Sequence, residues 1–205
     1  MYDIESVKAI AGALCNEAEQ HLDLLAELDG KSGDGDLGET IGKLSATIKT
    51  CIAEESGTDI SMFLKKTAMD MNKAAPSTLG TLLSGGVLGL AKYCKGKETL
   101  TDEDIIQFPA VFADAIHDRG KAELGDKTIL DALYPMADAV KGDYEANGSV
   151  VDAFAKGAAA AEEGANSTAG MIAKAGRARW IAERTQDNLD AGAVFCAKTV
   201  GAFKK

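Results

Sequence analysis

The stretch Leu22-Asp23-Leu24-Leu25-Ala26-Glu27-Leu28-Asp29-Gly30-Lys31-Ser32-Gly33-Asp34-Gly35-Asp36-Leu37-Gly38 decides between two fold classes. Its second half fits G-x-G-x-x-G, a dinucleotide fingerprint that needs a strand before it and a helix after it. Its first half is rich in leucine, alanine and glutamate and has no β-branched residue, so it reads as helix. A helix–loop–helix leaves no strand for a Rossmann turn. Two aspartates at the variable positions would also repel a bare pyrophosphate. An EF-hand fails on its last ligand: the twelfth position is Thr40 counted from Asp29 and Ser45 counted from Asp34, where a glutamate is required. Three carboxylates within eight residues repel one another unless a cation lies between them. Mg²⁺ takes oxygen ligands, commonly a few carboxylates plus substrate phosphates. Asp29, Asp34 and Asp36 are therefore candidate metal ligands, against the plainer reading of an Asp-Gly turn.

The rest of the chain supports an all-α fold. Aromatic residues make up 5% of the 205 residues and prolines number three, while alanine and leucine abound, a balance that favours helix over sheet. Apolar residues recur at helical spacing and predict eight helices. The first runs over 4–28 and stops at Asp29-Gly30. The second is opened by Asp36 as N-cap with Glu39 three residues on, a capping-box variant. The third covers about 58–75, and a fourth, capped by Ser77 or Thr78, reaches 94. A fifth opens at Thr101 with Asp104 and continues to Ile116, a sixth covers about 127–140, a seventh opens at Ser149, and the last spans 191–203. Pro109 and Pro135 predict kinks or offset starts. No period-two segment of useful length, internal repeat or low-complexity tail is present. The length suits one domain over 1–205.

Function classes narrow from charge and motifs. A net charge of −10 argues against nucleic acid and anionic membrane surfaces. No signal peptide opens the chain and no apolar run reaches membrane-spanning length. Cys15, Cys51, Cys94 and Cys196 are scattered and read as buried, reduced thiols. The cytoplasm is the expected location. His21 and His117 lack a second ligand nearby, which leaves zinc chemistry without its spacing. P-loop and G-x-S-x-G motifs are absent, as is the D-D-x-x-D of all-helical prenyl-diphosphate enzymes. Phosphoryl transfer remains, because it relies on positioning and charge neutralisation rather than protein nucleophiles. The segment 164–190 is polar, glycine-bearing and locally basic, with Arg177, Arg179 and Arg184. It reads either as a lid with Arg177 neutralising phosphate charge or as a short surface helix with a solvated basic face.

At this point an ordered set of motifs identifies a family. Asp29-x₄-Asp34-x-Asp36-x-Gly38 resembles the Mg–nucleotide loop of the L subunit of dihydroxyacetone kinase. Leu79-Gly80-Thr81-Leu82, then Arg119-Gly120, Gly125-Asp126-Lys127-Thr128-Ile129-Leu130-Asp131-Ala132-Leu133, Gly176-Arg177-Ala178, Glu183-Arg184 and Asp190-Ala191-Gly192-Ala193 resemble further stretches of that family in the same order. The resemblance implies a barrel of eight antiparallel helices with the nucleotide at one end. It implies two Mg²⁺ ions on Asp29, Asp34 and Asp36, and ADP or ATP contacted by Leu37, Gly38, Glu39, Thr40, Ser77, Thr78, Gly120, Ile129, Arg177, Asp190, Ala191 and Gly192, with Arg177 the catalytic residue. It further implies a separate K-type subunit holding the ketose and, for a free-standing L-length chain, an M-type phosphohistidine subunit of the phosphotransferase system that recharges ADP. Leu37 replaces the family's usual histidine, Ala74-Ala75-Pro76-Ser77-Thr78 its serine–glycine–proline run, and Ala191 its proline. These departures suggest a divergent branch, open to another triose or a tetrulose and to free ATP as donor. A fatty-acid-kinase-like nucleotide domain and a non-catalytic nucleotide-state sensor are the alternatives.

Overall fold

In the computed structural model, which describes residues 1–204 with the side chains of Glu183 and Arg184 excepted, the chain is helical throughout. Among the described residues the only β pairing is an isolated bridge between Tyr2 and Leu100. The ten α-helices among the described residues are α1 (Ile4–Glu19), α2 (Leu22–Ser32), α3 (Leu37–Glu54), α4 (Ile60–Ala74), α5 (Thr78–Tyr93), α6 (Asp102–Ile106), α7 (Phe108–Gly120), α8 (Leu130–Asn147), α9 (Val150–Ser167) and α10 (Ala191–Thr199). The eight predicted rods are all present, two of them broken. The first divides at Gln20-His21, where the Gln20 side-chain amide donates to the Asn16 carbonyl, the acceptor that a continuing helix would give to the Gln20 N–H. The fifth divides at Gln107, and Pro109 sits in the first turn of α7, where a missing N–H costs nothing.

Starts marked by hydroxyl caps form as the sequence suggests. Ser77 accepts from the Gly80 N–H, Thr101 and Asp104 make a reciprocal capping box, and Ser149 accepts from the Asp152 N–H. Asp36 does not cap α3. Its backbone lies in the αR region, with φ −90° and ψ 0°, whereas a capping side chain needs an extended residue to reach back over the first turn. Glu39 pairs with Lys43 instead, at 2.5 Å.

Eight helices close into a ring: α1, α3, α4, α5, α7, α8, α9 and α10 each pack on the next, and α10 returns to α1. The interior is filled by Leu25, Ile41, Ile60, Phe63, Ile116, Leu130 and Val140, all nearly inaccessible to solvent. Two antiparallel pairs pack unusually close through glycine. A Cβ built at Gly89 of α5 would lie 2.6 Å from the Ala115 Cβ of α7. A Cβ at Gly164 of α9 would overlap the Asp131 carbonyl of α8 and sit 3.1 Å from the Ala132 Cα. Pro135 has no N–H to offer that carbonyl within α8, so the oxygen left over faces the space that Gly164 leaves. The four cysteines are free and buried. Among the described residues no helix is long and apolar enough to cross a membrane.

Candidate functional site

The acidic residues at the α2–α3 junction come together despite a correction to the helix boundary. Helix α2 does not stop at Asp29-Gly30; it runs on to Ser32. Asp29 therefore projects from a helical last turn and not from a loop. The chain then doubles back through Gly35, whose φ of +77° suits glycine alone without strain, and its Cα packs over Gly30. The doubling back brings one carboxylate oxygen each of Asp29, Asp34 and Asp36 within 4.8 Å of one another. Asp29 Oδ2 is buried and has no hydrogen-bond partner. A buried ionised oxygen without a donor is costly, and a cation among the three carboxylates would satisfy it. The donor set is all oxygen, which suits Mg²⁺. Arg177 Nη1 forms an ion pair with Asp34, and its guanidinium supplies the positive charge that a metal ion would bring to that carboxylate.

The cluster lines one wall of a cleft of about 690 Å³ at one end of the ring. The cleft gathers segments far apart in sequence. Leu37 and Thr40 come from α3, Ser77 and Thr78 from the start of α5, and Gly120 from the end of α7. Ile129 comes from the α7–α8 connection, Arg177 from the α9–α10 connection, and Asp190, Ala191 and Gly192 from the start of α10. Gly38 and Glu39 are not on its surface. Gly38 is buried where α3 crosses α2, and a Cβ there would strike the Leu22 carbonyl; the Glu39 carboxylate is solvent-exposed beside Lys43. Leu37 is buried and faces the cleft. Thr40 Oγ1 donates to Ser77 Oγ at 3.4 Å, tying α3 to the α5 start. Leu79, Leu82, Ile116 and Ala122 add an apolar wall.

The segment after α9 is neither a surface helix nor featureless loop. It holds two short 3₁₀ turns, Ala178–Trp180 and Ala182–Thr185, and 175–178 borders the cleft. Arg179 stacks over Trp180 at 4.7 Å; the side chains of Glu183 and Arg184 lie outside the described residues. Asp190 caps α10 by accepting from the Ala193 N–H at 2.7 Å. Burial pushes its carboxyl up to about 7, with the Asp131 charge adding to the rise and the Ala193 N–H and Lys127 opposing it.

Sequence reasoning missed the groups that build the far wall. The sixth helix begins at Leu130 and not near 127, because the buried Asp131 carboxylate accepts from Gly125 N–H at 2.6 Å and Thr128 N–H at 2.7 Å. Those bonds fold 125–128 into a turn. Lys127 is 3% exposed, and burial lowers its ammonium pKa below the ordinary lysine value. A lysine and an aspartate beside glycine at a helix start were the available signal, but their side-chain direction depends on a turn that periodicity does not show.

Residues 31–205 match the family model described as the DAK2 domain. The chain is 31% identical over 169 residues to the PEP-dependent dihydroxyacetone kinase, ADP-binding subunit DhaL, of Escherichia coli (strain K12), a match covering 82% of this chain and 80% of that protein. In fold it is similar to the dihydroxyacetone kinase of C. freundii. The TM-score is 0.74 against the native form and 0.71 against the complex with AMP-PNP and Mg²⁺, at 20% identity in each case. Both likenesses span 97% of this chain but only about a third of that longer kinase, 34% and 33%. The helical ring, the acidic junction at the mouth of its cleft and the match over all but the first 30 residues lead to one assignment: the chain belongs to the DAK2 domain family.

Proposed function

We propose that the chain is the Mg-nucleotide-carrying subunit of a dihydroxyacetone-type kinase. The observation that carries this reading is the trio Asp29, Asp34 and Asp36, with the orphaned Asp29 oxygen at the mouth of a cleft built from helix starts. Bound Mg²⁺ would neutralise phosphate charge there and hold the phosphates in line for transfer. This chain's own residues divide the remaining work. The three carboxylates hold the ions. The first turn of α5, entered at Ser77 and Thr78, offers backbone N–H groups to an anion. Leu79, Leu82 and Ile116 provide an apolar face for a nucleobase. Arg177, whose guanidinium pairs with Asp34, would be free to meet phosphate oxygens if a cation took over that carboxylate.

The acceptor is a small ketose held by a separate K-type subunit. An M-type phosphohistidine subunit recharges the bound ADP; the PEP-dependent relative from E. coli supports that donor. The test is calorimetric titration of ADP with and without Mg²⁺ on wild type and Asp34→Asn. Wild type is expected to bind ADP only with Mg²⁺. The variant is expected to lose about 10- to 100-fold, the weight of one charge-assisted contact. Ketose turnover is expected only when a K-type partner is added. Metal-independent binding, or equal affinity of the two proteins, would remove the metal assignment.

A further inference from the structure

Lys127 plays no part in the reading above, yet its setting is built in detail. Its backbone sits at φ +62°, a left-handed conformation that non-glycine residues rarely adopt. The Asp131 carboxylate fixes that turn through the Gly125 and Thr128 amides. The side chain is thereby sent inward, and Nζ donates to three backbone carbonyls: Met171 at 3.0 Å, Thr185 at 2.6 Å and Asn188 at 2.6 Å. An ammonium has three donors, so all are used. Taking an ammonium out of water is expensive; these three carbonyls, together with the nearby carboxyl groups of Asp190 and Asp187, offset the loss.

The three acceptors are not a random set. Met171 lies at one foot of the hoop that carries Arg177, and Thr185 and Asn188 lie at the other. The same base holds Gly170 N–H to the Gln186 carbonyl at 2.7 Å and Lys174 N–H to the Asp126 carbonyl at 3.1 Å. Ala173 N–H donates to Thr185 Oγ1 at 3.1 Å. Between the feet, Lys174 pairs with Asp126 at 3.6 Å, and Arg177 pairs across the cleft with Asp34. Whether the guanidinium can return to one place after leaving Asp34 thus depends on how firmly the feet are held.

Resting on the nucleotide-subunit reading for its functional half, we infer that Lys127 is a positioning residue: its ammonium clamps both feet of the 171–188 hoop and so holds Arg177 over the cleft. It acts through Arg177 and not by supplying charge to a bound phosphate.

The experiment is hydrogen exchange on the ligand-free protein, paired with Mg-ADP titration, for wild type, Lys127→Met, Arg177→Ala and the double variant. In Lys127→Met, amides of 171–188 are expected to exchange about tenfold faster or more, with α8 and α9 unchanged, as local opening predicts. Mg-ADP affinity is expected to fall in Lys127→Met by the same factor as in Arg177→Ala, and the double variant is expected to bind no worse than either, the signature of two residues acting as one unit. Unchanged exchange in the hoop, a uniform rise across the protein, or additive losses in the double variant each overturn the inference. So does faster hoop exchange with wild-type affinity. If wild type itself fails to bind Mg-ADP, the nucleotide reading falls and with it the functional half, while the exchange data still decide the clamp. If Lys127→Met does not fold, Lys127→Arg takes its place: a planar fork cannot serve three carbonyls around one nitrogen, and wild-type exchange in that variant overturns the clamp.

Discussion

Gly164→Ala is expected to destabilise the protein, and the structure sets the size. The new methyl carbon would overlap the Asp131 carbonyl oxygen and lie 3.1 Å from the Ala132 Cα and 3.2 Å from the Asp131 carbonyl carbon. Ordinary carbon contacts begin near ~3.5 Å. All three atoms are backbone, so no side chain can swing away, and α8 and α9 must part by a sizeable fraction of an ångström. Overpacking of this kind costs about 1–3 kcal/mol. Alanine returns about 1 kcal/mol of helix propensity, leaving a net loss of up to about 2 kcal/mol, or up to about 8 °C in Tm for a chain of this length. Gly142→Ala is the control. It lies in the same helix pair, and a Cβ there meets nothing within 4 Å, so propensity acts alone and the variant is expected to gain up to about 1 kcal/mol. Urea and thermal melts of the two variants side by side provide the measurement. If Gly164→Ala melts at or above Gly142→Ala, the close backbone approach described for α8 and α9 is wrong.

Asp190→Asn probes the raised carboxyl. A folded pKa near 7 against 3.8 unfolded means the native state holds its proton more tightly, so this group's contribution is full below about pH 4 and is lost as pH rises to 7. Measured by urea melts, the stability of the variant relative to wild type should therefore climb between pH 4 and 7 by a few kcal/mol at most; a flat difference would refute the shift. Ser77→Ala removes the α5 cap and the acceptor for Thr40, and is expected to cost about 1 kcal/mol in the same melts. All four thiols should stay silent to a disulfide reagent until the protein unfolds, because burial raises Cys15 and Cys94 to about 11 and Cys196 to about 12, with Cys51 also raised. Rapid labelling of any one of them under native conditions would contradict its burial.

The helical rods were legible because their apolar stripes are long and regular, and hydroxyl caps such as Ser77, Thr101 and Ser149 act locally. The break at Gln107 was marked by Pro109, which lies in the first turn of α7; the break at Gln20 was not, since it interrupts a stripe with no proline or glycine to signal it. Asp36 shows the limit of a local rule. Its spacing to Glu39 fits a cap, but its backbone is set by the turn that gathers three aspartates, and one side chain cannot do both. The acidic trio itself was visible because its members are close in sequence. The Lys127 clamp was not, because its acceptors are backbone carbonyls 44 to 61 residues away, and a carbonyl leaves no mark in a sequence.

The return of α10 to α1 has a consequence for the protein while it is being made. Asp29 emerges from the ribosome long before Asp190 and Gly192, and the cleft needs both. A nascent chain therefore offers no complete binding surface until α10 has docked. Any molecule that fits the cleft selects the finished ring over every partial one, and by mass action adds about 2.7 kcal/mol to its stability at a hundredfold excess over Kd. Cargo held from the moment of closure would act as a seal on correct assembly.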